Sequence, residues 1–283
     1  MTPHASFSAL LAFACLATAA CTSGAAPPRS SQDTRPMNAA DAPAQARPVE
    51  VDLGPHRFRI ASNYFDIERG QDAQGFMRLI LRWPELAPLP PGVHYLSGGE
   101  SERIRNIDIS PTYLDRVPPQ TRLDREWISN VDSEQELREN PTLNPELRIK
   151  AAPVDGLTPY YTDFAKVDAY YLKRYGKQDL PATDRHSLFN NDWFVARDAD
   201  GTLTTIIKCT AREEPDGARI VDGRLELLDA PRLPSCSHAF LLPKYGTYVQ
   251  VSYLRLFMRD WQRIEQRIRA IFDDGHIGDA PRR

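Results

Sequence analysis

Apolar and polar side chains alternate along much of the chain after residue 48, and that alternation predicts short strands. In PVEVDLGPHRFRIA (48–61) it runs on both sides of Gly54-Pro55, the pattern of two strands joined by a turn. GFMRLILRWPEL (75–86) sets Phe76, Arg78, Ile80 and Arg82 on one side and Met77, Leu79, Leu81 and Trp83 on the other, a half-exposed strand ended by Pro84. RIRNIDI (103–109) carries Ile104, Ile107 and Ile109 as its apolar set. The clearest hairpin is DWFVARDADGTLTTIIKCTA (192–211), two alternating strands joined by Asp198-Ala199-Asp200-Gly201. The pattern continues in GRLELLDA (223–230) and SHAFLLPKYGTYVQVSYLRL (237–256), with Lys244-Tyr245-Gly246 as a turn.

Two segments change period. In TPYYTDFAKVDAYYLKRYG (158–176), Tyr160, Phe164, Val167, Tyr171 and Tyr175 fall at helical spacing, with Thr158 or Thr162 to cap the start and Gly176 to stop it. Near the C-terminus, Phe257, Trp261, Ile264, Ile268 and Ile271 form an apolar stripe. Glu265 supports Arg269 four residues on, and Gly275 stands where the helix should end. The expected fold is α+β, predominantly antiparallel sheet with this C-terminal amphipathic helix packed on it. A short echo between HRFRIASNY and HAFLLPKYGTY admits two similar α+β halves, 48–150 and 151–283. Residues 110–159 are polar and broken by prolines; Trp127 and Ile128 there fit a short strand or a helical turn, in a surface loop or a binding element.

Residues 1–47 follow neither period. An apolar run from Phe7 to Ala20 ends in Thr18-Ala19-Ala20 and Cys21, the layout of an export signal, although no Lys or Arg precedes Cys21. A cysteine directly after small residues resembles the lipobox of bacterial lipoproteins, with Thr18 where Leu is usual. That implies a signal peptide of residues 1–20 and lipidation of Cys21. Thr22, rather than Asp, points to an outer-membrane anchor. Cleavage without lipidation and a retained anchor are the alternatives, the run falling short of the roughly 20 residues that span a bilayer. Residues 22–47, rich in Ala, Pro, Ser, Asp and Gln, hold too little apolar surface to offset ordering entropy. The expectation is a periplasmic body, 48–283, held by a disordered, lipid-anchored tether, 21–47, with a mean span on the order of 28 Å.

A formal net charge of -3 gives no general affinity for nucleic acid, and 24 prolines favour strands and loops over long helices. Outside the signal only Cys209 and Cys236 remain. In an oxidising compartment they predict a disulfide contributing about 3 kcal/mol; the rival, a metal site of Cys209, Cys236 and His238, lacks a fourth ligand. No nucleophile elbow, Ser-x-x-Lys, His-Glu-x-x-His, P-loop or Gly-x-Gly-x-x-Gly occurs. SGGES (97–101) lacks the lysine of a phosphate cradle, and RDADGTL (197–203) lacks the closing glutamate of a calcium loop. The six histidines sit singly, and carboxylates such as Asp115, Asp124 and Glu126 are of an ordinary kind. The chain therefore predicts no catalytic residues, no metal and no cofactor. Tyr161 and Tyr170, off the core stripe of the 158–176 helix, and Trp127 are the candidate partner-binding residues, because such rings are enriched at interface hot spots.

The segments DLGPHRFRIASNYFD, MRLILRWPELAPLPPG, NDWFVARDADGTLTTIIKCT and CSHAFLLPKYGTYVQVSYLRLFMRDWQRIEQRIRAIF resemble a group of proteobacterial envelope proteins encoded beside type VI secretion effectors, particularly lipase-type ones, and regarded as their immunity proteins. The resemblance covers most of residues 50–115 and 190–273, leaves 116–157 unplaced, and transfers no binding residue. It implies a non-catalytic periplasmic lipoprotein that neutralises a cognate, secreted antibacterial effector of phospholipase type by covering its active-site mouth or lid. A general envelope lipoprotein serving secretion-machine or cell-surface assembly is the alternative, followed by an unrecognised hydrolase.

Overall fold

A computed structural model describes residues 46–127 except 68, 141–176 and 190–281. The chain opens with β1 (Pro48–Leu53) and β2 (His56–Ala61), then β3 (Leu79–Arg82), a one-turn helix α1 (Glu100–Arg103), β4 (Asn106–Tyr113) and helix α2 (Pro119–Trp127). Next come β5 (Arg148–Lys150), β6 (Thr158–Thr162), helix α3 (Phe164–Tyr175), and the hairpin β7 (Asn191–Arg197) and β8 (Leu203–Thr210). A ribbon of β9 (Ala218–Val221) and β10 (Arg224–Leu227) follows. The long strands β11 (Ser235–Leu242) and β12 (Thr247–Leu254) then lead into helix α4 (Trp261–Gly275) and β13 (His276–Asp279).

Eight strands form one antiparallel sheet in the order β3-β4-β12-β11-β8-β7-β6-β5. It takes strands from both 48–150 and 151–283, and all described residues belong to one compact unit. A smaller sheet, β1-β2-β13, packs with α4 over one face of the large sheet. Alternation explains the division. Ile207 on β8, Phe240 on β11 and Val249 and Val251 on β12 point to the α4 face, with Ile264, Ile268 and Phe272 of the helix opposite them. Trp193, Val195, Ile206, Ala239, Leu241 and Tyr248 point the other way, to Leu123 of α2. A two-residue turn joins β1 to β2 at Gly54 (φ +60°), where a Cβ would lie 2.2 Å from the Tyr113 ring. No helix among the described residues is long and apolar enough to cross a membrane.

The antiparallel α+β class and the C-terminal helix agree with the periodicity of the sequence. Two local expectations do not hold. Residues 158–176 are not one helix: Thr158–Thr162 is a strand paired with β5 and β7, and α3 starts only at Phe164, where the Asp163 side chain accepts from the Lys166 amide. The competing force is sheet pairing, which converts a helical stripe into strand alternation. Gly176 does stop the helix, in the left-handed conformation. The strand expected at 75–86 shrinks to Leu79–Arg82 and is not half-exposed, because Ile80 is as buried as Leu79 and Leu81. Trp127 ends a nine-residue helix within the stretch whose structure the sequence left open.

Candidate functional site

The two faces of the large sheet each hold a cluster of polar and charged side chains. On the α4 face, Glu265 of the helix meets His238 of β11. Its Oε1 lies 3.0 Å from His238 Nε2 and accepts from the Thr205 hydroxyl at 2.6 Å, while Oε2 accepts from Arg269 at 2.9 Å. Burial works against the Glu265 charge, but these hydrogen bonds together hold the carboxyl below its ordinary range. An ionised carboxylate only accepts, so His238 Nε2 carries a proton directed at Glu265, and Nδ1 lies 3.1 Å from the Tyr253 hydroxyl. Burial, followed by the Glu265 charge, pushes the Tyr253 phenol far above its usual value and keeps the hydroxyl protonated. The polar groups are paired. His238 is 0% exposed, Tyr253 3% and Glu265 7%, so this Tyr-His-Glu relay is closed to any substrate and ties α4 to the sheet.

The opposite face is built differently. Four side chains stand in register across four strands: Lys150 on β5 opposite Tyr160 on β6, Tyr160 opposite Trp193 on β7, and Trp193 opposite Lys208 on β8. Trp127 from the end of α2 closes on this row edge-on, 4.8 Å from the Tyr160 ring and 5.7 Å from Trp193. The Arg148 guanidinium stacks 3.8 Å from the Trp193 ring, the Lys208 ammonium lies 4.7 Å from it, and Arg197 sits 5.3 Å from the Trp127 ring.

Among the described residues, one carboxylate forms ion pairs in this region. Glu126 pairs with Lys208 at 3.4 Å, with Arg122 at 2.6 Å, and accepts from the Tyr248 hydroxyl at 2.9 Å. Burial pushes the Glu126 carboxyl up, but Lys208 and the bonds from Arg122 and Tyr248 outweigh it and hold the group below the ordinary carboxylate range. Arg148 donates only to the carbonyls of Thr142, Tyr160 and Asn191, and burial pulls its guanidinium down to about 9. Arg148, Arg197 and Lys150 have no carboxylate within ion-pair distance among the described residues.

Of the residues singled out from sequence, Cys209 and Cys236 lie opposite each other on β8 and β11 and form a buried disulfide. That disposes of the metal alternative, since His238 is bonded to Glu265 and Tyr253. Among the described residues no group of three or more His, Cys, Asp or Glu side chains could hold a metal ion. Asp198 Oδ1 accepts from the Asp200 and Thr202 amides, which makes 197–203 a hairpin turn. Cys21 lies outside the described residues.

Trp127 and Tyr161 fall on opposite faces of the sheet. Tyr161 packs edge-on to Phe194, 6.4 Å away, under the Arg212 guanidinium at 3.9 Å, and Tyr170 packs against Tyr171 on α3. Sequence reading missed Tyr160, Trp193, Lys150 and Lys208. The one available signal was the alternation in TPYYT, which, read as a strand, turns Tyr160 and Tyr161 to opposite sides. Open clefts of about 480 Å³ beside Gly54 and Gln71, and of about 420 Å³ between Arg47 and Tyr95, contain neither cluster.

The fold has a solved counterpart. The structure of Smlt3025, an immunity protein of the Stenotrophomonas maltophilia type IV secretion system, matches with a TM-score of 0.72 and 29% sequence identity, covering 82% of this chain and 94% of that one. No protein-family model and no curated protein sequence matches. The likeness therefore spans most of both chains and is to a protein of the immunity class.

Proposed function

We propose that this protein is a non-catalytic immunity protein that binds and neutralises a secreted antibacterial effector. The observation that carries the reading is the similarity to Smlt3025 across most of both chains. The sealed Tyr-His-Glu cluster agrees with it, since the most catalytic-looking side chains in the described body are spent on holding α4. In its finer form the proposal places the body in the periplasm on a lipidated Cys21, facing an effector of lipase type. The secretion system named for Smlt3025 is type IV, whereas the sequence resemblance implied type VI, so the delivering machine is the open variable of the proposal.

A competition assay in the native strain tests it. A deletant mixed with its parent should die only when the parent can secrete, and disabling the type IV and type VI machines separately identifies the delivery route. Equal survival of the deletant in every mixture would remove the immunity reading in favour of general envelope maintenance. A Cys21→Ser copy should leave the membrane fraction, and lipid turnover by the captured effector should stop when the protein is added.

A further inference from the structure

We infer that the run Lys150-Tyr160-Trp127-Arg197, standing over the buried Trp193 and the mostly buried Lys208, is the surface that receives the effector, and that it receives an acidic segment. The inference rests on the immunity reading and names the site of that activity. Four adjacent strands contribute Lys150, Tyr160, Trp193 and Lys208, one residue each, so the row is held by the backbone ladder of the sheet.

Charge decides the partner's chemistry. Arg122, Arg148, Arg197 and Lys208 lie on the rings and Lys150 stands opposite Tyr160, while among the described residues Glu126 is the only carboxylate in direct ion pairs with them, and it already holds Arg122 and Lys208. This excess stands on a chain whose net charge is -3. Lys150 and Arg197 are exposed, and Trp127 and Tyr160 half-buried, so cations and rings are presented together. Carboxylates of the partner would pair with Lys150 and Arg197, and an apolar side chain between them would lie against Trp127 and Tyr160. Trp, Tyr and Arg are the side chains on which protein interfaces most depend, and opposite charge across the contact raises the association rate.

The test uses the full-length, anchored protein in the deletant, attacked by the secretion-competent parent, with all variants compared at equal abundance. Lys150→Glu with Arg197→Glu should lower survival at least tenfold. Lys150→Arg with Arg197→Lys should protect like the wild type, as should Arg224→Glu on the distant ribbon. Full protection by the reversal variant would overturn the proposal while leaving the immunity reading intact. Equal failure of the reversal and charge-conserving pairs would overturn the acidic partner, because shape rather than charge would then matter. Survival of the deletant itself would remove the immunity reading, and the site with it. Binding of the unanchored Cys21→Ser chain to phosphatidylglycerol vesicles, abolished by the reversal, would assign the row to a lipid surface and overturn it too.

Discussion

The two faces of the eight-stranded sheet solve the problem of charge in opposite ways. Under α4 the polar groups are paired: Glu265 receives His238, Thr205 and Arg269, and His238 and Tyr253 share a hydrogen bond. Under α2, cations outnumber carboxylates among the described residues: Arg148 and Lys208 are held on the buried Trp193 ring, while Lys150 and Arg197 reach solvent. A satisfied, sealed cluster holds a fold, whereas an unbalanced and reachable one is prepared for a partner. Titratable side chains therefore mark structure on one face and recognition on the other, even though the individual residues look more catalytic on the structural face.

Breaking the structural face should have the largest effect on stability. Glu265→Ala leaves the His238 and Thr205 donors unsatisfied in the core and frees Arg269, and should cost about 3–5 kcal/mol, read from urea unfolding; a loss under about 1 kcal/mol would mean the cluster holds nothing. Next comes the disulfide. Cys209→Ala with Cys236→Ala opens a loop with a sequence separation of 27 and should cost about 3 kcal/mol in the same assay. Trp127→Ala on the recognition face should cost only about 1–2 kcal/mol, because the ring is half-buried, yet should reduce protection in the competition assay more than either structural change reduces it per unit of stability lost.

A smaller and opposite effect sharpens the comparison. Burial pushes the Asp192 carboxyl up to about 6, although the Arg212 amide donates to it at 2.8 Å. With the folded-state value above the ordinary carboxylate value, the folded protein holds a proton there that the unfolded chain releases. That contribution is present at low pH and is lost as pH rises from about 4 to 6. Asp192→Asn keeps the acceptor oxygen without the charge, so it should raise Tm by about 2–4 °C at pH 7, with the gain vanishing near pH 4 in a melting series. Last, Lys150→Ala should change stability by no more than about 0.5 kcal/mol, since the side chain is exposed and forms no ion pair among the described residues.

Several features were legible because they rest on local periodicity. Alternation in 48–61 and 192–211 predicted two hairpins that are present as β1-β2 and β7-β8, and the stripe Trp261, Ile264, Ile268, Ile271 faces the core from α4. The Cys209–Cys236 pairing could be inferred because only two cysteines lie outside the signal-like segment. In 158–176 the same reasoning failed, since a helical stripe of aromatics and a strand beside β7 compete for the same residues and the edge of a large sheet won.

By itself the sequence determined the class of the fold, the helix that closes it and the single disulfide, because each depends on spacing within one segment or on a count. Only the tertiary structure decided which charges meet. His238 and Glu265 stand 27 residues apart, Lys208 and Glu126 82 apart, and the row from Lys150 to Lys208 draws on four strands. Such groupings come from strand order and register, and antiparallel pairing brings distant residues opposite one another without leaving a local mark in the sequence.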